Sequence, residues 1–299
     1  MGGIDAVIAA MRSHTNAEHV QCMGCGALMN MMINDFCRVE AAIYGGVEVV
    51  VAALRAHPGS AKVQESGCWA LAYLAMNFDN RALAAKAGGI ELVVAAMKAN
   101  LSNICVQTGG CEALGFISMH ESTHARVAKA GGLERVLAAM RAHPGDEETQ
   151  YYGCHALVAM VCGGVENKVS ALRAGAPETV MAAMEAHLGR GVVQQEGCAA
   201  LYHLSFDLDN HVLLDKAAQL RVMEAVMAAM RAHPSNGVLQ NRACSILLGL
   251  LTMSSALLGQ WLQNAGAVPI IRRAFATFSD DPMLQMNSMA LLQILGLNV

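Results

Sequence analysis

Cys22-x-x-Cys25 is the one cysteine pair with the spacing of a metal-ligand or dithiol motif. A zinc site would need a second pair or neighbouring histidines, and neither follows it. The chain has ten cysteines, and six of them, Cys25, Cys68, Cys111, Cys154, Cys198 and Cys244, recur in one setting. That setting is Gly-Cys-x-Ala-Leu or a close variant, as in VQESGCWALAYLA from Val63 to Ala75. A cysteine repeated this way reads as a small apolar core residue, not as a nucleophile. His14, His57, His143, His187 and His233 also recur, each at the end of a helical segment, with Asn100 in the sixth place. There an imidazole can donate to unpaired carbonyls and, when charged, suits the helix dipole. Ionising together, these groups would make the array respond to pH around 6. His120-Glu121 is a single His-Glu step, short of the several that a di-iron site needs. The sequence has no G-x-S-x-G, Walker loop or H-E-x-x-H motif. The expectation is a protein that is not an enzyme and uses no metal and no cofactor.

The elements that position these residues follow from their spacing. The six cysteines are separated by 43, 43, 43, 44 and 46 residues. A second marker, the Met or Leu of Ala-Ala-Met-Arg-Ala-His, falls at Met11, Leu54, Met97, Met140, Met184 and Met230 with nearly the same period. Two markers with one period of about 43 residues point to an all-α solenoid. We divide the chain into one array over 1–299, with units 1–33, 34–77, 78–120, 121–163, 164–207, 208–253 and 254–299. Within a unit, punctuation predicts three helices, Arg81 to Ala87, Ile90 to Ala99 and Val106 to Met119. Pro58, Pro144 and Pro234 end the second helix, and Ser60 and Asp146 are placed to cap the third. Paired glycines at 45–46, 88–89 and 131–132 suit a tight corner between the first and second helices.

Composition fits packed helices: apolar residues are 55% of the chain, aromatic 4% and charged 15%. The net charge is −4, and Lys and Arg are scattered singly, so nucleic acid is not expected as a partner. The start lacks the basic and apolar regions of a secretory signal. Ala243 to Ile271 carries no charge, but its Ser, Gln, Asn and Pro residues argue against a membrane span. Ten cysteines without a signal suit a reducing compartment, the cytoplasm or the nucleus. Third helices about 10 Å apart leave the cysteine ladder unable to cross-link itself.

The unit resembles the armadillo repeat of importin-α and β-catenin-type proteins. The resemblance rests on a short helix, an Ala-Gly-Gly or Ala-Gly-Ala corner, a Val-x-x-x-Met/Leu helix and then Val-Gln-x-x-Gly-Cys-x-Ala-Leu. Asp79-Asn80-Arg81, Glu166-Asn167-Lys168 and Asp209-Asn210-His211 are similar to the family's Glu-Asn-Arg step. It implies a right-handed armadillo-type α-solenoid of about six and a half units. The chain opens on a corner at Gly2-Gly3, which we read as a piece of a longer protein.

In such a fold the third helices line a concave groove. With Cys68, Leu71 and Leu74 facing the core, the opposite stripe holds Glu65, Trp69, Tyr73 and Asn77. Matching positions are Cys22, Gly26, Asn30 and Asn34 in the first unit and Thr108, Glu112, Phe116 and His120 in the third. The fourth unit offers Tyr151, His155 and Ala159, and the fifth Gln195, Ala199, His203 and Asp207. Asn241, Ser245 and Gly249 complete the stripe. The expected partner-binding residues are Asn30, Glu65, Trp69, Tyr73, Glu112, Phe116, Tyr151, His155, Gln195, His203 and Asn241. Small residues at Ala159, Ala199 and Gly249 would leave room for a helix or a bulky side chain. The resemblance implies a scaffold holding an extended peptide or helix of a protein partner. Its alternatives are a spacer docked against another domain of a longer protein, or a nuclear-import-type receptor. For the latter, Trp69 and Asn30 match the Trp and Asn positions, but no unit carries both. Ile4, Val7, Ile8 and Met11 would meet water at the open first unit and support a weak dimer; otherwise the chain is a monomer.

Overall fold

A computed structural model describes residues 2–206, 213–252 and 256–297, with the side chains of 256 and 257 left aside. Asp207 and the Asp209-Asn210-His211 step lie outside the described residues. The regular elements among the described residues are all helices, joined by short turns, with no strand element. They fall into two compact units, Met1–Gly163 and Gly164–Val299. No helix of the described residues is long and apolar enough to cross a membrane.

The first unit runs from α1 to α11. Helix α1 (Gly3–Ser13) and α2 (Glu18–Met31) are the second and third helices of the opening repeat. Complete triplets follow: α3 (Asp35–Ile43), α4 (Gly46–Ala56) and α5 (Ala61–Ala75), then α6 (Phe78–Ala87), α7 (Gly89–Ala99) and α8 (Ile104–Ser118). In the next repeat a 3-10 turn at Glu121–Thr123 leads into α9 (His124–Ala130), α10 (Gly132–Ala142) and α11 (Glu147–Val161). The second unit holds α12 (Val165–Arg173), α13 (Ala176–Ala186) and α14 (Gly191–Ser205), then α15 (Lys216–Ala232) and α16 (Gly237–Thr252). It ends with α17 (Ala256–Asn264), α18 (Ala267–Thr277) and α19 (Pro282–Ile294). The three-helix division fails at α15, where 17 residues run on as one helix. Leu220-Arg221-Val222 stands there in place of a glycine corner.

The corner at 88–89 shows why glycine is needed. Gly88 has φ 93°, the left-handed region. A Cβ on Gly89 would sit 2.9 Å from the Ala84 carbonyl oxygen and 2.9 Å from the Leu71 side chain. At the other end of each triplet, Ser60, Asn103 and Asp146 accept backbone N–H bonds and cap α5, α8 and α11.

The signature cysteines Cys25, Cys68, Cys111, Cys154, Cys198 and Cys244 are all buried, and all ten cysteines are free. Burial pushes the Cys68 thiol up to about 12. It remains a neutral, inert thiol at neutral pH.

Two ladders join the helices, and one corrects the expected role of the repeated histidines. The open carbonyls at the end of each second helix are met by glutamine, not histidine. Gln64 Nε2 donates to the Leu54 and His57 carbonyls, both at 2.9 Å. Gln107 does the same to Met97 and Asn100, both at 2.9 Å. Gln21, Gln150, Gln194, Gln240 and Gln285 repeat the bond. The histidines instead reach the preceding repeat: His57 Nε2 donates to the Thr15 carbonyl at 2.8 Å and His143 to Leu101 at 2.7 Å. Within the second unit His233 donates to Leu188 at 2.7 Å. Both the neutral Nε2–H ring and the imidazolium can make this donation. Gln107→Leu is expected to lower stability by about 2 kcal/mol, because two buried carbonyls lose their donor. Urea unfolding of the variant checks this, with the half-exposed His143→Ala expected to cost less.

The first repeat carries a second correction. Ile4, Ile8 and Met11 are buried and Val7 is half-buried, so the stripe read as open to water is covered. Helices α2, α3 and α4 pack over α1, and Met11 lies where a Gly24 side chain would be, within 2.6 Å of its ideal Cβ. The basis for a dimer through that stripe is gone.

Candidate functional site

In the first unit, α5, α8 and α11 lie side by side and carry the expected stripe. Cys68, Leu71 and Leu74 are buried, as their helical spacing requires, while Glu65, Trp69 and Tyr73 are half-buried on the other face. Trp69 does not stand free. A Cβ at Gly109 would lie 3.0–3.1 Å from the indole, so the ring occupies the notch that glycine leaves on α8. Through that notch Trp69 reaches across a whole repeat to Tyr152 on α11, edge to face, with ring centroids 6.0 Å apart.

From Tyr152 the aromatic surface continues. Tyr73 lies 6.4 Å from Trp69, and Tyr151 lies 4.9 Å from Tyr152. Tyr151 stacks on His155 at 6.5 Å, and Phe116 meets the His155 ring at 5.4 Å. Helices α8 and α11 are close enough for this because Gly115 has no side chain. Its ideal Cβ would be 3.2 Å from the Ala156 Cα and 3.2 Å from His155 Nδ1. A buried bond of 2.8 Å between the Thr108 and Thr149 hydroxyls ties the same pair.

Glu112, expected at the groove surface, is corrected by the structure: it is 2% exposed. It sits on α8, between the helices that carry Trp69 and Tyr152, and the Tyr152 hydroxyl bonds its carboxyl. Its Oε2 has no hydrogen-bond partner among the described residues. Burial and the nearby Glu148 push its carboxyl up to about 7, and a hydrogen bond from Tyr152 partly opposes them. Asn30 is exposed on α2 and lies apart from the aromatic run. Asn34 and Asn77, read as stripe residues, are N-caps of α3 and α6.

In the second unit the expected residues are drawn into internal bonds. The Gln195 main-chain carbonyl accepts from Arg242 at 2.9 Å, and Arg242 also reaches Glu196 at 3.3 Å. Asn241 Oδ1 accepts from Asn287 at 3.0 Å, and Asn287 also donates to Ser245 at 2.9 Å. His203 is half-buried and packs edge-on against Tyr202 at 5.5 Å. Burial first, then Lys168 and Arg242, hold its imidazole below the usual range. Ala159 of the first unit and Ala199 and Gly249 of the second each lack space for a large group at their own position. Ala159 and Ala199 are buried, and the Phe206 ring sits within 2.6 Å of where a Gly249 Cβ would be. Among the described residues no cluster of three or more His, Cys, Asp or Glu could hold a metal ion.

The family model described as the LRRK2 ARM repeat matches residues 130–298, more than half of the chain. The chain belongs to the armadillo repeat family. Solved armadillo-like structures agree on the fold. An engineered protein superposes with a TM-score of 0.61 at 20% identity, covering 99% of each chain. A designed armadillo repeat protein gives 0.55 at 15% identity over 98% of this chain and 99% of its own. A structure from work on the cadherin and beta-catenin interaction gives 0.54 at 14% identity, covering 98% of this chain and 65% of that one. No curated protein matches the chain.

Within this armadillo frame, two important residues escape a reading of the stripe alone. Tyr152 stands two positions before the signature Cys154, where α8 has Gly109. The pairing of a glycine with a tyrosine at equivalent positions of adjacent repeats was the available signal. Asn287 stands in the last repeat, whose signature Cys is replaced by Met289. The glutamine at 285 would have restored its register.

Proposed function

We propose that this armadillo protein is a non-catalytic scaffold that holds a peptide or helical segment of a protein partner on its third-helix face. The observation that carries the reading is the aromatic run Tyr73, Trp69, Tyr152, Tyr151, His155 and Phe116 across α5, α8 and α11. Among only thirteen Phe, Tyr and Trp residues in the chain, five gather on this one surface. Half-buried aromatic side chains supply much of the energy at protein interfaces. Glu65 borders the run; Asn30 in the first unit and, taken separately, Gln195, His203 and Asn241 in the second are further candidate contacts. Ten free cysteines suit work in a reducing compartment, the cytoplasm or the nucleus.

The test compares wild type with a Trp69→Ala, Tyr73→Ala, Phe116→Ala variant, both checked for helicity by circular dichroism. Each serves as bait in a lysate, read by mass spectrometry. Partners retained by wild type and lost from the variant support the reading; identical sets from both baits defeat it.

A second reading, an array docked against a further domain of a longer polypeptide, draws on α3. Phe36 and Ile43 are 69% and 77% exposed, one and two turns along a single helical face with Val39 between them. In that case Phe36→Ser, Ile43→Ser removes the captured set while the aromatic triple variant keeps it.

A further inference from the structure

We infer that Glu112 makes occupancy of the third-helix face proton-linked: the bound segment brings a cationic side chain to this carboxyl, and one proton leaves as it binds. The inference rests on the proposed binding face and adds the chemistry of its occupant.

A carboxyl so deeply buried normally has both oxygens satisfied or a cation beside it. Glu112 has neither. The Tyr152 hydroxyl bonds the carboxyl, yet Oε2 is without a partner. The charges around it are of its own sign. On α11, Glu148 acts directly on Glu112, and Tyr151 and His155 stand in the same aromatic run. From α5 come Glu65 and Tyr73, and on α8 itself Cys105 feels Glu65, Asp146 and Glu148 together. Other elements against α8 carry Arg81 on α6, Lys98 on α7, Lys129 on α9 and Arg141 on α10, but none of these acts on the Glu112 carboxyl. Helices α5, α8 and α11 hold Glu65, Glu112, Glu147 and Glu148 against one cation, Lys62.

Below about pH 7 the protein therefore keeps Glu112 neutral by holding a proton on it. A ligand guanidinium or ammonium that displaces the Trp69–Tyr152 edge contact reaches the carboxyl beneath and supplies what the site lacks. The aromatic faces attract the cation, and Oε2 becomes its acceptor. The carboxylic acid loses its proton to solvent, the carboxylate pairs with the ligand, and charge balances. Because the free protein must lose a proton that the bound one does not hold, affinity rises with pH across neutrality. The rise is about tenfold from about pH 6 to about pH 8, given a carboxyl that titrates near 7 when free and stays ionised when bound.

The experiment uses the full chain carrying Trp261→Phe, so that emission reports Trp69 alone. The probes are a decapeptide alternating Gly and Arg and its Gly-Gln counterpart, titrated across that pH range and in buffers of different ionisation enthalpy. The expected result is Gly-Arg binding that tightens about tenfold with pH and releases close to one proton at about pH 6, falling toward none at about pH 8. In Glu112→Gln, an isosteric change, that pH dependence and the released proton disappear. Gly-Arg binding that is flat with pH, or unchanged in Glu112→Gln, overturns the inference. Binding of both peptides alike, without pH dependence, sinks the cation requirement and leaves the binding face standing. Binding of neither peptide overturns the inference, and the bait comparison then decides the face separately.

Discussion

Glu112→Gln stabilises the protein at pH 8 and leaves it nearly unchanged at pH 4. In the folded chain this carboxyl is pushed up from an ordinary 4.5 to about 7, first by burial, then by Glu148. Below about pH 4 it is protonated in both folded and unfolded states and adds nothing to the pH dependence. As pH rises through the unfolded value, the unfolded chain gives up the proton while the fold retains it, so wild-type stability falls. The fall is complete once pH passes the folded value near 7 and amounts to about 3 kcal/mol. Glutamine keeps the shape and cannot ionise, so the variant follows a flatter curve. Urea midpoints measured at intervals between these pH values should diverge steadily. Two parallel curves would show that Glu112 ionises in the fold as readily as outside it. Glu148→Gln removes the second cause only and should recover a smaller part.

What the sequence made legible was whatever repeats or acts locally. The period of about 43 residues survives in the cysteines because each fills an equivalent buried position. Ser60 and Asp146 cap the third helices as read, since a cap depends on only three neighbouring residues. The glutamine ladder was harder. Gln64 and His57 lie seven residues apart, both within reach of the end of α4, and only packing decides which turns inward. The buried glutamine took the helix end and histidine was left to bridge repeats. The aromatic site was half legible. Trp69, Tyr73, Phe116, Tyr151 and His155 lie on the expected stripe. The burial of Glu112 was not legible, because nothing in its own spacing reveals that Tyr152 of the next repeat is brought against its carboxyl. Stripe arithmetic places residues on a face; it does not say what leans over them. Nor could it place Asn287 against Asn241, a contact between repeats 46 residues apart.

Gly115→Leu should be the most damaging single change on this face, and Gly26→Ala, two repeats earlier and next to the signature Cys25, should be beneficial. Both are helical glycines, so propensity alone favours replacing either by roughly 0.5–1 kcal/mol when the new residue is Ala. Their surroundings decide the sign. An added Cβ at Gly26 meets nothing within 4 Å. At Gly115 it would already press on the Ala156 Cα and on His155 Nδ1, each at 3.2 Å, and on the Ala156 Cβ at 3.4 Å. Backbone cannot turn aside as a flexible side chain can, so a leucine branch forces α8 and α11 apart. Overpacking of this kind costs about 3 kcal/mol, and separation also removes the Thr108–Thr149 bond and the Phe116–His155 contact. Thermal unfolding would rank the two variants on opposite sides of wild type. A Gly115→Leu protein as stable as wild type would mean that α8 and α11 pack less closely than these distances require, and the continuous aromatic surface would lose its physical basis.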